Sequence, residues 1–107
     1  SSPSKRTKET TQLLLSGLHN LDISVNYIEN GYLADPATWI KNIENTPSET
    51  PTCIVVGHNP GISDLITILS GSQITMTPGA CVAMELLIND WDEVFEGTGN
   101  VLSAYRP

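Results

Sequence analysis

Two side chains in this sequence, a histidine and an arginine, lie where their chemical types could bind a phosphate group. His58 follows the apolar, β-rich run 53–56 and precedes a segment, 62–69, whose apolar residues recur at helical spacing. This pattern predicts that His58 lies where a buried strand ends and a helix begins. Ligands of open α/β sheets bind at the carboxyl ends of strands, and the free N–H groups of a helix N-terminus favour anions. We therefore interpret His58 as part of a phosphate site.

The turn after His58 has the residue types that begin a helix. Asn59 is a good N-cap, and Pro60 suits the first helical position because its fixed φ fits the helix and its missing N–H is not needed there. The sequence therefore predicts a helix from this turn to about residue 69.

Arg6 is the second candidate. It lies in the first turn of a helix that Ser2 or Ser4 is predicted to cap. A cation there faces the positive end of the helix dipole, at a cost of a few tenths of a kcal/mol, roughly. An anion held between the guanidinium and the helix would offset this cost, because the planar fork can bind two phosphate oxygens. A solvated surface arginine is the alternative interpretation of its position alone.

The distribution of charge supports a local anion site. The 107 residues carry a net charge of −7, which argues against nucleic acid or an anionic membrane surface as a general partner. Residues 1–22 hold three cations against two acids, whereas the remaining residues hold two cations against ten acids. The basic side chains are therefore gathered at one helix start.

Predicted elements alternate along the chain. Helices are predicted over 2–18, 35–45 and 60–69, a helical turn at 91–95, and strands over 23–28, 53–56, 80–88 and 101–105. This order predicts a single α/β domain with a mainly parallel sheet. Cys53 and Cys81 lie in apolar runs, which indicates buried, reduced thiols of a cytoplasmic protein. No apolar run approaches the length of a membrane span.

The motifs together resemble the histidine phosphatase superfamily, in particular its small phosphohistidine phosphatase branch of the SixA type. The likeness is carried by a serine-proline followed three residues later by Arg6 and a threonine-rich helix, and later by a Gly-His-Asn-Pro-Gly turn. It continues through three shorter stretches, 31–36 (GYLADP), 78–80 (PGA) and 105–107 (YRP). The likeness covers essentially the whole chain.

The resemblance implies a fold and an activity. The fold is a phosphoglycerate-mutase-like three-layer sandwich, with helices on both faces of a mainly parallel central sheet. The activity is hydrolysis of phosphohistidine or a phosphomonoester through a covalent phosphohistidine, without metal or cofactor. By matching positions, Arg6 and His58 would be catalytic and would bind the phosphoryl group, and the backbone N–H of Asn59 would add to the pocket.

One departure from the family pattern is large. The family's nucleophile is a histidine in an Arg-His motif at the end of the first strand, and His58 cannot serve as both histidines. The other histidine, His19, has no arginine before it and is expected to face solvent or cap a helix. We therefore expect residues 1–107 to be the C-terminal two-thirds of a domain of about 150 residues, incomplete at its N-terminus. As a fragment it is expected to be inactive.

Several alternatives stay open. Glu29 precedes Tyr32 in a Glu-x-x-Tyr setting and is either a general acid or an exposed carboxylate. Without a nucleophile, the chain could also be a non-catalytic phosphate- or phosphopeptide-binding module. A dinucleotide-binding domain is weaker, because the turn lacks the required glycine spacing. The expected partners are a phosphorylated protein or a small phosphomonoester, and the sequence does not indicate an oligomeric state.

Overall fold

A computed structural model describes residues 1–31 and 34–107 of the chain. Three α-helices and two β-strands account for its regular structure, with two short 3-10 helices between them. In chain order these elements are α1 (Lys5–Gly17), a 3-10 helix (Glu29–Gly31), α2 (Pro36–Glu44), α3 (Gly61–Ser70), β1 (Cys81–Leu86), a 3-10 helix (Trp91–Glu93) and β2 (Gly99–Tyr105). None of the helices in the described ranges is long and apolar enough to cross a membrane.

The first two helices begin where the sequence predicts. Ser4 is the N-cap of α1 and its side chain accepts from the Thr7 N–H, so the second of the two predicted caps is confirmed. Asp35 caps α2 through the Thr38 N–H at 2.9 Å, with Pro36 at the first helical position. Both starts depend on side chains within three residues of the cap, which explains why sequence alone finds them.

The start of α3 was predicted wrongly by one residue. Pro60 rather than Asn59 is the N-cap, and no side chain caps this helix. The peptide bond between these two residues is cis. The Asn59 side chain is not available as a cap, because its amide bonds to the loop that follows α3, as described below.

The sheet contradicts the predicted fold class. Within the described ranges it has two strands, β1 and β2, which pair antiparallel with a register from Cys81↔Tyr105 to Leu86↔Gly99. The phosphoglycerate-mutase-like three-layer sandwich with a mainly parallel central sheet is therefore wrong for this structure. The predicted strands at 80–88 and 101–105 are confirmed in place, and an irregularity between Ala83 and Met84 leaves Leu102 without a partner.

The predicted strands at 23–28 and 53–56 are the source of that error. Neither forms a regular strand, although both have strand-like composition. A strand needs a neighbour along its length to pair its N–H and C=O groups. Residues 53–56 find such a neighbour at one point only in the described part of the chain, where the Ser2 N–H donates to Val56 O at 2.9 Å. Residue composition predicted strands here, but it does not show whether a neighbouring strand is present to pair with them.

The core lies between α2, α3 and the hairpin. Trp39 of α2 and Val94 are its most buried large residues, at 2% and 1% exposed. Residues of α3 complete it, and the inward-facing side chains of β1 pack against them. Trp91 packs against this core, and its indole N–H donates to Thr50 O at 2.9 Å.

Candidate functional site

The first residues of the chain lie between two segments that are distant in sequence. The Ser1 amino group donates to Asn26 O, and Ile28 N–H donates to Ser1 O, both at 2.9 Å. On the other side, Ser2 N–H donates to Val56 O. These backbone hydrogen bonds bring the start of α1 beside the end of the 53–57 segment. His58 follows that segment directly, so it meets the residues that precede α1.

His58 contacts two serine hydroxyls at this point. Its Nε2 lies 2.8 Å from Ser2 Oγ and 3.1 Å from Ser4 Oγ. Ser2 is fully buried, with 0% of its surface exposed, whereas Ser4 and His58 are half-buried. The imidazole is therefore held at the N-terminal end of α1, the end at which backbone N–H groups and the helix dipole favour an anion.

The hydroxyl network indicates which way the protons point. Thr7 Oγ1 donates its single proton to Ser2 O at 2.8 Å, so the Ser4 hydroxyl is the donor in its 2.8 Å bond to Thr7 Oγ1. The Ser4 oxygen then faces His58 Nε2 as an acceptor, whereas the buried Ser2 hydroxyl, 2.8 Å from the same nitrogen, can donate to it. The two contacts are served by different tautomers of His58. In the tautomer with a proton on Nε2, the imidazole directs toward the helix start the kind of donor that a phosphoryl oxygen needs.

Glycines on either side of His58 allow the turn to pack tightly. A Cβ on Gly57 would meet the Trp39 ring carbon Cζ2 at 2.7 Å and Ile62 at 2.8 Å. A Cβ on Gly61 would collide with the carbonyl oxygen of Ala34. The Gly-x-x-x-Gly spacing of the motif is therefore explained by close approach of this turn to α2 and to the segment before it.

The Asn59 side chain fixes the turn that follows His58. Its side-chain oxygen accepts from Ser63 Oγ at 2.7 Å, its side-chain nitrogen donates to Met76 O, and Met76 N–H donates to Ser63 Oγ at 2.8 Å. Ser63 is buried in the first turn of α3. The side chain of Asn59 therefore fixes the turn to the loop after α3, while its backbone N–H donates to no other group in the described part of the chain.

Arg6 and His58 border the same cavity. They lie with Asn59 along a groove of about 1170 Å³ that runs between the 53–57 segment and β1. The Arg6 side chain is exposed, and its guanidinium forms no ion pair or hydrogen bond with any residue that the structure describes. Its helix has no acidic residue in its first turn. All three residues that the sequence predicted to bind phosphate therefore border one groove.

Other residues singled out in the sequence lie elsewhere. Glu29 is exposed in the 3-10 helix and does not border the groove, and its motif partner Tyr32 lies outside the described residues. His19 is exposed past the C-terminal end of α1, with Nδ1 3.2 Å from Ser16 O.

The prediction for the two cysteines is confirmed in one respect and wrong in another. Cys53 and Cys81 are free thiols, as expected, but both are exposed, so the expectation that they are buried was wrong. Each lies on a wall of the groove. Both thiols are exposed because the groove lies between two apolar segments, 53–56 and β1, that were expected to be covered.

The hydroxyl groups that contact His58 were not predicted from the sequence. Ser2 and Ser4 were considered as helix caps, and Thr7 was not considered at all. The Ser-x-x-Thr spacing of Ser4 and Thr7 is a signal that a cap and a first-turn hydroxyl lie side by side. No signal in the sequence says that a histidine 54 residues away from Ser4 joins them, because that contact depends on the tertiary arrangement.

Comparisons with known proteins show a similarity to part of a longer protein. No protein-family model matches the chain, and no solved structure matches it. An uncharacterized protein of Mycobacterium leprae, ML1117, is 39% identical over 71 residues. The match takes in 66% of this chain but only 41% of the length of that relative. The chain is therefore similar to a part of a longer protein.

Proposed function

We propose that this chain is the phosphate-binding part of a phosphatase that resembles the SixA-type phosphohistidine phosphatases. In the proposal Arg6 and His58 bind the phosphoryl group of a phosphohistidine or a phosphomonoester, with the Asn59 N–H as a further donor. The longer protein carries out hydrolysis through a covalent phosphohistidine and works in the cytoplasm, where exposed thiols such as those of Cys53 and Cys81 stay reduced.

One observation supports the proposal above all others. The Arg6 side chain, whose guanidinium has no partner in the described structure, borders the same groove as the imidazole of His58. With a proton on Nε2, that imidazole directs an N–H toward the N-terminus of α1. A guanidinium, an imidazole N–H and a helix N-terminus are three groups that each favour an anion.

These residues suit phosphoryl transfer because of how its charge is distributed. The transition state spreads negative charge over three equatorial oxygens, so positioning and charge stabilisation are the main tasks of the protein. Arg6 can hold two of these oxygens, and an N–H on His58 Nε2 can donate to a third. Ser2 and Ser4 contact the imidazole and keep it in place.

A second candidate, phosphate binding without transfer, is favoured by the position of His19. It is the other histidine of the chain and lies past the far end of α1, a helix of 13 residues that is about 20 Å long. It is therefore too far from His58 to serve as the nucleophile. Residues 1–107 alone are expected to bind phosphate and not to turn over substrate.

The test measures phosphate binding to the 107-residue chain. Inorganic phosphate is titrated while the imidazole signals are followed by NMR, and the expected result is saturable shifts of His58 with no shift of His19. Arg6→Ala should weaken binding by about ten-fold or more, as for loss of a charged bidentate partner. Arg106→Ala is the matched control, because Arg106 is also exposed but does not border the groove.

The outcomes separate the two candidates. Absence of saturable shifts, or equal weakening by both arginine variants, would contradict phosphate binding at this site. Hydrolysis is tested separately with p-nitrophenyl phosphate on a longer protein that contains this chain. His58→Ala should reduce its turnover by about 10²–10³-fold, the loss expected for a charge-stabilising donor. Binding with no hydrolysis in the longer protein would favour the non-catalytic module.

A further inference from the structure

Ser2 has the hydroxyl that lies nearer to His58 Nε2, at 2.8 Å, whereas the Ser4 hydroxyl lies at 3.1 Å. The Ser2 side chain is completely buried. The Ser2 backbone is also fixed on both sides, because its N–H donates to Val56 O at 2.9 Å and its carbonyl oxygen accepts from Thr7 Oγ1 at 2.8 Å. The Ser2 hydroxyl is therefore held against the imidazole by the backbone that carries it.

The hydrogen of the Ser2 hydroxyl has one acceptor in the described part of the chain. Ser2 Oγ has two hydrogen-bond partners there, His58 Nε2 and, at 3.4 Å, the Ser4 N–H. The Ser4 N–H is itself a donor, so the hydrogen of the Ser2 hydroxyl can point only to a lone pair on Nε2. A proton on Nε2 would leave this buried hydrogen without an acceptor, which is unfavourable.

The hydroxyl of Ser4 does not depend on His58 in this way. It donates to Thr7 Oγ1 at 2.8 Å, and its oxygen also accepts from the Thr7 N–H at 3.4 Å. Ser4 is half-buried and keeps both of these bonds if Nε2 carries no proton. The two serines together therefore favour a neutral imidazole with its proton on Nδ1 and a lone pair on Nε2.

We propose that Ser2 is a positioning residue that sets the tautomer of His58. By donating to Nε2, it holds the imidazole with its proton on Nδ1 until a phosphoryl group binds. This inference rests on the proposed function, because a phosphoryl oxygen that accepts an N–H from Nε2 has to displace the Ser2 hydrogen from that nitrogen. The Ser2 hydroxyl thus competes with phosphate, and it weakens binding by reducing the fraction of molecules that present the donor.

The first measurement determines the tautomer of His58 in the 107-residue chain without phosphate. Nitrogen NMR chemical shifts distinguish a protonated ring nitrogen from one with a lone pair, and they are recorded in mildly alkaline buffer, where imidazoles are neutral. The expected result is a proton on Nδ1 and a lone pair on Nε2. A protonated Nε2 in the wild-type chain would overturn the proposal.

Two variants at the same nitrogen distinguish a donor from a packing residue. Ser2→Ala removes the donor and should shift the tautomer ratio of His58 toward Nε2–H by about ten-fold, the usual effect of one buried hydrogen bond. Ser4→Ala is the matched control: it removes an acceptor and should leave the lone pair on Nε2. Equal shifts in the same direction would contradict the proposal.

Circular dichroism checks that both variants are folded. If Ser2→Ala does not fold, Ser2→Cys replaces it, because a thiol is close in size to the hydroxyl but is only a weak donor. The tautomer ratio of His58 should then shift in the same direction as expected for Ser2→Ala. An unchanged ratio in a folded Ser2 variant would show that another group sets the tautomer.

A titration with inorganic phosphate tests the competition. Saturating phosphate should move the proton of wild-type His58 to Nε2, and Ser2→Ala should bind phosphate more tightly, by up to about ten-fold. Equal or weaker binding by Ser2→Ala would overturn the competition. If phosphate does not bind to the wild-type chain, the proposed function fails, whereas the tautomer measured without phosphate still decides whether Ser2 positions the His58 proton.

Discussion

The two walls of the groove are similar in sequence but differ in structure. Residues 53–57 and β1 are both short, apolar segments, and each sends a side chain, Val55 and Val82, to the core. Only β1 is a strand, because it pairs with β2 along its whole length. The comparison shows that β propensity becomes a strand only where the fold supplies a neighbour with matching hydrogen bonds.

The walls also differ in what holds them. β1 is held by its hairpin partner, whereas the 53–57 segment is held at its carboxyl end by the turn around His58. That turn is fixed by close packing of Gly61 against Ala34 and by the side chain of Asn59. Substitutions in the turn should therefore loosen one wall and leave the other intact.

The largest loss of unfolding free energy is expected for Gly61→Ala. The added Cβ would collide with the Ala34 carbonyl oxygen, which is backbone and cannot rotate away. The chain should lose about 1–3 kcal/mol of unfolding free energy, as for overpacking in a well-packed region. Urea unfolding measures the loss, and hydrogen exchange should increase more at 53–57 than at 81–86.

Gly17→Ala is the matched control for this substitution. Gly17 is also helical, but a Cβ there would have nothing within 4 Å. It should leave the unfolding free energy unchanged or raise it by up to about 1 kcal/mol, because Gly is a poor helix former. Equal losses from both substitutions would contradict the close packing at the His58 turn.

A smaller effect is expected for Ser4→Ala. The change removes the N-cap of α1 and one of the two hydroxyls that contact His58 Nε2. The expected loss is about 1 kcal/mol of unfolding free energy, the usual cost of an N-cap. Ser16→Ala, at an exposed position of the same helix, is the control and should be neutral within about 0.5 kcal/mol. If only the control lost stability, the capping role of Ser4 would be wrong.

The smallest expected effect is on the pH dependence of stability at α2. This helix carries Trp39, which lies close to Gly57 of the 53–57 wall. Backbone and side-chain hydrogen bonds from Thr38 lower the pKa of the Asp35 carboxyl below its ordinary value. The ionised carboxylate therefore adds stability that is fully present above the unfolded pKa of about 3.9 and is lost as the pH falls through the lower folded pKa.

Asp35→Asn tests this dependence. Asn is a comparable N-cap but does not titrate, so the advantage of the wild-type chain should shrink as the pH falls below about 4. Urea unfolding of both proteins between pH 2.5 and 7, at about half-unit steps, measures the difference. A constant difference over this range would show that the Asp35 charge does not contribute to the cap.

Much of the candidate site could be predicted from residue types at short range. Arg6 in the first turn of α1 and His58 after an apolar run were chosen for local reasons, and both border the groove. The hydroxyl contacts of Ser2 with His58 could not be predicted, because they join residues 56 positions apart. The N-cap at Asn59 was wrong because Ser63 and Met76, which are not adjacent to it in sequence, bind its side chain.

The sequence by itself determined the starts of α1 and α2 and the place of the β1–β2 hairpin. Caps act within one helical turn, and the two strands of the hairpin are close in the chain, so local residues are sufficient to specify them. Only the tertiary structure decided that 53–57 is not a regular strand and that Arg6 and His58 share a groove. Strand pairing and site assembly need groups that are distant in sequence, and residue composition does not say which of them meet.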